Sequence, residues 1–166
     1  TRREYPDGPL LAHILGYTGP IDATAYERLK PEAYLADDMI GKTGIESTFE
    51  RQLRGTYGIQ VVEKDATGKQ IQVLSNKQEA VPGASLTLTI DAKIQREATQ
   101  ALKWGMRAAG LKRGVFIAMN PQTGEVLALV SLPSYDNNLF ARGISNKDFA
   151  KLLNNRDKPL TNHAVQ

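Results

Sequence analysis

The chain has 166 residues, of which 41% are hydrophobic and none is cysteine, and its 21 basic and 18 acidic side chains give a formal charge of +3. This composition supports one globular domain or two small ones and excludes disordered chains, disulfide scaffolds and cysteine nucleophiles. The longest uncharged runs, residues 9–21 and 80–90, are too short to span a bilayer, and residues 1–7 do not open a signal peptide.

The first forty residues predict short elements separated by turns. Residues 10–15 form an apolar run between turn-forming segments and predict an extended segment. Asp22 is a good N-cap for a helix over residues 23–29, which Pro31 should end. A second short helical piece is predicted over residues 34–39.

The best-marked helix of the first half follows residue 40. Thr43 and Glu46 have the spacing of a capping box, in which the hydroxyl accepts from the Glu46 amide and the carboxylate accepts from the Thr43 amide. Gly55 supplies a left-handed stop. The apolar residues predicted to share one face of this helix are Ile45, Phe49 and Leu53.

The middle of the chain predicts β-structure. Residues 58–65 and 69–74 are β-branched runs around a glycine-containing turn and predict a hairpin. Residues 86–90 alternate strictly between apolar and polar side chains and predict a strand with one buried face. A domain boundary is predicted after residue 83, in the polar linker between these segments.

A long helix and a second hairpin follow. Asp91 is a good N-cap for a helix that ends at Gly110, and a short helix is predicted over residues 146–153. The apolar stripe of the long helix is predicted to comprise Ile94, Ala98, Ala101, Leu102, Gly105, Met106 and Ala109.

The second hairpin is predicted from two nearly continuous apolar strands, residues 114–119 and 125–131. Pro121 and Gly124 lie in the loop between them, where a turn needs a fixed φ and a positive φ. Strands without alternation belong in a sheet that is covered on both faces. The long helix can cover one face, and the chain shows no cover for the other.

The triplet Lys42-Thr43-Gly44 also occurs in the active sites of penicillin-recognising enzymes, beside a Ser-x-x-Lys nucleophile and a Ser-x-Asn element. No serine of this chain has a lysine three residues later or an asparagine two residues later. The capping role of Thr43 is therefore favoured over a catalytic role for Lys42.

Other sites are not indicated by the residues. His13 and His163, the two histidines, lack the spacing of metal ligands, and the adjacent Asp37 and Asp38 point apart. No catalytic, metal or cofactor site is therefore expected. The basic side chains are scattered singly and match no recognition motif, so a nucleic-acid partner is not expected either.

Several longer segments of the chain occur in one order that resembles the class B penicillin-binding proteins. The GKTGIE segment favours the elongation type of that family, often called penicillin-binding protein 2, over the division type. The segments that carry the resemblance are YPDG at 5–8, AHILGY at 12–17, GKTGIE at 41–46, FE at 49–50, LRG at 53–55, LTID at 88–91, and AMNPQTGEVLALVS and PSYD at 118–131 and 133–136.

The resemblance implies an α+β fold in two parts. Residues 1–83 would be a non-catalytic pedestal, or dimerisation domain, with mixed strands and short helices. Residues 84–166 would be the first helix and β-hairpin of a transpeptidase domain of the β-lactamase-like kind, reaching to just before its Ser-x-x-Lys nucleophile. The residues expected to serve as structural motifs are Gly41, Lys42, Thr43, Gly44, Ile45, Glu46, Arg54, Gly55, Pro121 and Gly124.

The resemblance also implies what a longer parent protein does. Such a protein would be a membrane-anchored, extracytoplasmic D,D-transpeptidase that acylates a serine with peptidoglycan stem peptides, maintains cell shape and is trapped by β-lactams. A RodA-type membrane glycosyltransferase and other elongation-complex proteins are the partners expected for it. This chain alone would be non-catalytic and would serve structure and partner docking. Because strands 115–119 and 126–130 lack a second covering layer, it would pair through them, self-associate, or leave part of residues 111–166 loosely ordered.

Two other functions remain open at this point. The chain could be a stand-alone extracellular module that binds wall polymer through its basic second half, since residues 55–166 carry 14 basic and 9 acidic side chains. Alternatively, Lys42-Thr43-Gly44 could belong to a working hydrolase site, which the missing Ser-x-x-Lys argues against.

Overall fold

The computed structural model describes residues 3–166, which form short helices and small antiparallel sheets and confirm the α+β class. Two compact units are present: one joins the chain up to Thr48 to residues 87–166, and the other is Phe49–Leu86. The helices are α1 (Ala12–Leu15), α2 (Ala23–Leu29), α3 (Gly44–Thr48), α4 (Glu50–Arg54), α5 (Ala92–Ala108), α6 (Asn138–Ala141) and α7 (Asn146–Leu153). The strands are β1 (Thr18–Pro20), β2 (Met39–Gly41), β3 (Ile59–Lys64), β4 (Gln70–Gln78), β5 (Gly114–Met119) and β6 (Val126–Leu132).

The segment before Gly16 is helical, so the extended segment predicted over residues 10–15 is wrong. A 3-10 helix spans Gly8–Leu10 and α1 follows it. Ala12 is completely buried in a cluster with Tyr135 and Phe140. A short apolar run fits a strand or a buried helix equally well, and packing against these rings favours the helix.

The beginning of α2 confirms the predicted cap. The Asp22 carboxylate accepts a hydrogen bond from the Ala25 N–H at 2.9 Å. Pro31 lies in a 3-10 helix, Lys30–Glu32, that follows α2 directly. The proline therefore changes the helix type at this point, in keeping with its missing N–H.

The helical piece predicted over residues 34–39 is wrong. Tyr34 follows the turn at Ala33, lies outside any helix and is buried in a cluster with Ala25 and Ile40. Residues 39–41 form β2, which pairs antiparallel with β1. The partner strand lies about twenty residues earlier in the chain, so local propensity could not reveal it.

The single helix predicted after residue 40 is two helices, α3 and α4, interrupted at Phe49, where φ is −110° and ψ is 23°. The Glu46 carboxylate, which a capping box would direct to the Thr43 amide, binds the side chains of Arg3 and Tyr5 instead. These partners lie 43 and 41 residues earlier in the chain. Tertiary contacts therefore override the local pattern here.

The hairpin predicted from residues 58–74 is confirmed and forms most of the second unit. β3 and β4 pair antiparallel, and β4 extends to Gln78. In the turn, the Asp65 carboxylate accepts hydrogen bonds from the N–H groups of Thr67 and Lys69 at 2.8 and 3.0 Å. Every residue of β4 is exposed, so alternating burial gives no signal for this strand. The residues of the turn were sufficient to predict the hairpin.

The strand predicted over residues 86–90 is wrong, because this segment lies outside the assigned ladders. At its end the Thr89 hydroxyl donates to the Val126 carbonyl at 2.7 Å, and the Asp91 N–H donates to the Leu127 carbonyl at 2.9 Å. Farther along β6, the Gln95 side chain of α5 hydrogen-bonds the same edge at Leu129. A strand formed by residues 86–90 would therefore find no continuous free edge of β6 to pair with.

Helix α5 begins where the sequence predicts. The Asp91 carboxylate accepts hydrogen bonds from the N–H groups of Lys93 and Ile94, and Gly110 with φ +68° follows the helix. Its buried side is rotated from the predicted stripe, because Ile94 is exposed. The residues on the buried side are Gln95, Ala98 and Thr99, with Leu102 and Met106 packed against the same core.

Gln95 is only 1% exposed and hydrogen-bonds the edge of β6. Its Nε2 donates to the Leu129 carbonyl at 2.8 Å and to the Leu10 carbonyl at 3.0 Å. Its Oε1 accepts from the Leu129 N–H at 2.8 Å. The side-chain amide therefore takes the place of a neighbouring strand along this edge.

The predicted hairpin of β5 and β6 is confirmed, with antiparallel pairing from Gly114↔Leu132 to Met119↔Val126. α7 also covers the predicted residues 146–153. One face of the hairpin packs against α5. The other face, within the part of the chain that the structure describes, is open along β5, where Val115, Ile117 and Met119 are exposed, whereas Ser131 of β6, opposite Val115, is buried beside His163.

Replacing the buried amide tests how strongly it holds β6. We expect Gln95→Ala to lower the free energy of unfolding by about 3 kcal/mol, because it leaves buried N–H and C=O groups of the backbone without partners. The exposed Gln100→Ala on the same helix is the control and should change the free energy by less than about 0.5 kcal/mol. Urea unfolding of both variants measures the difference, and equal values would contradict the role given to Gln95.

Candidate functional site at the Gly41–Glu46 segment

The segment from Gly41 to Glu46 turns from β2 into α3 through two close backbone contacts. A Cβ atom on Gly41 would lie 2.0 Å from the Glu46 carbonyl oxygen. Gly44 has φ +58°, and a Cβ atom there would lie 2.6 Å from the Ile14 carbonyl oxygen. Only glycine fits either position, so these residues fix the segment against the end of α1.

Lys42 is engaged in an ion pair within this turn. Its Nζ lies 3.2 Å from Oδ2 of Asp22, the residue that caps α2. The hydrogen bond from the Ala25 N–H and the bond from Lys42 both lower the pKa of Asp22. Lys42 therefore joins the end of β2 to the beginning of α2, a structural contact.

The Thr43 side chain faces residues far along the chain. Its hydroxyl hydrogen-bonds Tyr135, whose own hydroxyl donates to the Ala12 carbonyl at 3.2 Å. Burial raises the pKa of Tyr135 to about 12, and the bond from Thr43 works in the opposite direction. The buried Asn137 amide donates to the Gly16 carbonyl at 3.0 Å. The segment is thus joined to the chain around residues 135–137.

Aromatic rings fill the core behind these contacts. The rings of Tyr17 and Phe140 are stacked with their centroids 3.9 Å apart. Tyr135 meets Phe140 edge to face at 5.6 Å and His13 edge to face at 5.3 Å. Pairs of this geometry stabilise a core beyond the area that they bury. One core therefore contains residues from both ends of the chain.

Glu46 forms a buried charged contact on α3. Its carboxylate is within 2.8 Å of Arg3 and accepts a hydrogen bond from the Tyr5 hydroxyl at 3.2 Å. Burial, and then the negative charge of Glu46, raise the pKa of Tyr5 to about 12. Ile45, the preceding residue, is half-buried. Tyr5 therefore stays protonated and able to donate to the carboxylate.

Arg54 and Gly55 lie in the second unit, apart from this turn. The Arg54 guanidinium carbon is 5.4 Å from the centroid of the Tyr57 ring, a cation–π geometry. Gly55 has φ +75°, and a Cβ atom there would lie 2.4 Å from the Val81 carbonyl oxygen. Both residues belong to the bend that leads from α4 into the hairpin.

Pro121 and Gly124 occupy the loop between β5 and β6. Gly124 has φ +76° with open space around it. Asn120 organises the loop, since its carbonyl accepts from the Gly124 N–H at 2.8 Å and its side chain accepts from the Gln122 N–H at 3.0 Å. This loop is a turn of ordinary geometry and carries no reactive group.

His13 lies where α1 meets the C-terminal residues of the chain. Its Nε2 is 3.4 Å from the Pro133 carbonyl, and the Asn162 amide approaches the His13 carbonyl at 3.5 Å. The N–H of His163 donates to the Ser131 hydroxyl at 3.0 Å. Burial lowers the pKa of His13, the Pro133 carbonyl opposes this, and the charge of His163 lowers it further.

The contacts of these side chains are with other parts of the same chain. Within residues 3–166, no group of three or more His, Asp or Glu side chains is placed to hold a metal, and no helix is long and apolar enough to cross a membrane. Ser131 accepts from His163, and Ser134 donates to the Pro9 carbonyl at 2.8 Å. The buried hydrogen bonds of Gln95 and Asn137 are not predicted from the sequence, since single polar residues carry no sequence signal for burial.

Comparison with known proteins identifies relatives of this chain. Residues 1–88 match the family of the penicillin-binding protein dimerisation domain. The peptidoglycan D,D-transpeptidase MrdA of Acinetobacter baumannii is 42% identical over 164 residues, which are 99% of this chain and 23% of that protein. The chain spans about a quarter of the length of the curated relatives that it matches.

Solved structures show the same fold. A crystal structure of Pseudomonas aeruginosa PBP2 matches 97% of this chain and 30% of its own, with a TM-score of 0.77 and 39% identity. Helicobacter pylori PBP2, solved in a complex with MreC, matches 97% of this chain and 28% of its own, with a TM-score of 0.77 and 29% identity. The likeness extends well beyond the residues that match the family.

The glycine contacts at the turn are testable with two variants. We expect Gly44→Ala to lower the free energy of unfolding by about 3 kcal/mol, from left-handed strain together with a clash against the backbone near Ile14. Gly143→Ala is the matched control, because φ is +84° there but nothing lies within 4 Å of the added Cβ atom. It should cost about 1 kcal/mol. Similar losses of stability for Gly44→Ala and Gly143→Ala in thermal or urea unfolding would contradict the close backbone contact at Gly44.

The environment of His13 predicts a pH dependence. Because the folded state lowers the pKa of His13, the unfolded state binds more protons as the pH falls through the ordinary histidine pKa of about 6.5, so stability falls as the pH drops below about 7. His13→Gln should reduce this fall in urea unfolding. His163→Gln should raise the pKa of His13 in an NMR titration. An unperturbed pKa for His13 in the unmodified chain would overturn the prediction.

Proposed function

Because this chain belongs to the family of the penicillin-binding protein dimerisation domain, we propose that it is part of a peptidoglycan D,D-transpeptidase of the MrdA or PBP2 type. One observation carries the proposal. Ala12 and Tyr17, inside the family match and next to the residues on which Gly44 packs, share a core with Tyr135 and Phe140, outside it. A longer protein of this kind would build its catalytic part directly onto that core.

The part played by this chain is structural. We propose residues 1–83 as the pedestal and residues 84–166 as the beginning of the transpeptidase domain. The compact units divide the chain elsewhere, at residues 48 and 86, because the N-terminal residues pack with α5, β6 and the aromatic cluster. The pedestal would thus contact the first elements of the catalytic domain at two residues. Tyr135 packs with Ala12, and Gln95 hydrogen-bonds the Leu10 carbonyl.

In the proposed transpeptidase, the residues that carry out the acyl transfer would lie outside this chain. The proposed serine would attack the D-Ala-D-Ala peptide bond of a stem peptide, release the terminal D-alanine and form an acyl-enzyme ester. An amine of a neighbouring stem would then take the acyl group and restore the serine. The uncovered face of β5 and β6 would be covered by that catalytic part, and in its absence the same face would join a second copy of the chain.

Partners follow from the same proposal. The solved complex of a PBP2 with MreC supports an MreC-type partner for the longer protein. A RodA-type membrane glycosyltransferase remains a prediction from the resemblance. The proposed location is the outer side of the cytoplasmic membrane, with stem peptides and β-lactams reaching the protein from that side.

A fluorescent penicillin tests the proposal. We expect the whole protein that contains this chain to be labelled covalently at one serine, and residues 1–166 alone to remain unlabelled, since the serines here lack a lysine three residues later. Mass spectrometry of the labelled peptide identifies the serine, and unlabelled penicillin added first is the control. Label on residues 1–166 would favour a hydrolase role for Lys42. A whole protein that takes no label would favour a stand-alone module that binds wall polymer.

A further inference from the structure

The outward side of α5 carries an exposed tryptophan. Leu102 and Met106 pack inward against the β5–β6 hairpin. Trp104 lies two residues from each of them, and at about 100° per residue this places it on the opposite side of the helix. Its residue surface is 70% exposed, the largest fraction among the exposed large hydrophobic residues of the described chain. A flat aromatic ring held open on a rigid helix is available to stack on a ligand.

Two positive side chains of α5 lie next to this tryptophan. Lys103 precedes it directly, and Arg107 follows three residues later on the same side of the helix. Within the described part of the chain, neither forms an ion pair, whereas Arg96 earlier on α5 is paired with Asp7. We call this surface the Trp104 face, and its members are Lys103, Trp104 and Arg107.

We propose that the Trp104 face binds a peptidoglycan strand at a place separate from the catalytic serine. The indole would stack on the apolar face of a sugar ring, as flat aromatic rings do with other planar or disc-like ligands. The cations would pair with the carboxylates of the stem peptides, which gives the surface and the polymer opposite charge. This inference rests on the proposed function, because that function brings the strand to the protein.

The same residues fit a membrane surface less well. A helix that lies on a bilayer presents a long apolar face to the lipid. The apolar face of α5 is already packed against the hairpin, and the exposed large apolar side chains of the helix are Ile94 and Trp104, which are ten residues apart. A single ring flanked by cations suits one sugar and its neighbouring carboxylates better than a sheet of lipids.

Binding to purified sacculi tests the inference. The whole protein is first acylated with penicillin, so that its serine cannot hold stem peptides, and is then pelleted with sacculi stripped of other wall polymers. We expect Trp104→Ala to weaken binding about tenfold, the equivalent of losing one stacking contact. Lys103→Gln with Arg107→Gln should weaken it several-fold and flatten its dependence on salt. Trp104→Phe should restore most of the binding.

A matched surface variant and penicillin labelling serve as controls for the sacculus experiment. Leu153→Ala removes another side chain that is 62% exposed, on α7, and should leave binding unchanged. Penicillin labelling of every variant should equal that of the unmodified protein, so a loss of labelling would challenge the proposed function and not the Trp104 face. The inference would be overturned if the Trp104→Ala variant bound sacculi as well as the unmodified protein, or if the unmodified protein did not bind them. It would also be overturned if Trp104→Ala weakened binding to anionic lipid vesicles, without sacculi, by the same factor.

Discussion

One buried amide joins three separate parts of the first unit. The Gln95 side chain satisfies both backbone groups of Leu129 and also the carbonyl of Leu10, so α5, β6 and the N-terminal 3-10 helix share one set of hydrogen bonds. Since each of these groups is removed from water, none can change partners without leaving another unpaired. The position of α1, which follows Leu10 directly, depends on this contact. Through α1, so does the packing of the Gly41–Glu46 segment.

The candidate site is best understood as a joint. Gly44 lets the turn approach α1 at backbone distance, Lys42 holds it to Asp22, and Thr43 joins it to Tyr135. Lys42 and Thr43 both have structural partners, which hold the turn in place. Under the proposed function, such a joint would transmit the position of the pedestal to the first strands of the catalytic part.

Local signals identified those parts of the fold whose partners are near in sequence. The N-cap of α5 at Asp91, the turn at Asp65 and the apolar strands around Gly124 were all predicted correctly. The errors lie where a distant partner decides the structure: Glu46 turns to Arg3 and Tyr5, and residues 86–90 meet an edge that Gln95 already occupies. The motif residues of the site were recognised, but the contacts of Thr43 with Tyr135 and of Gly16 with Asn137 were not. These contacts span more than ninety residues, beyond the reach of spacing or propensity.

The two outer edges of the β5–β6 hairpin differ in whether their backbone groups are paired. The outer edge of β6 is closed by Asp91 and Gln95, which are contributed by the helix made just before it. In the described chain the outer edge of β5 stays open, so any strand that extends this sheet must add beside β5. The described residues supply no strand at that place, and pairing with a strand distant in sequence forms slowly because a long loop must first close. Until it is paired, an open strand edge of this kind can pair with strands of other chains and so favours aggregation.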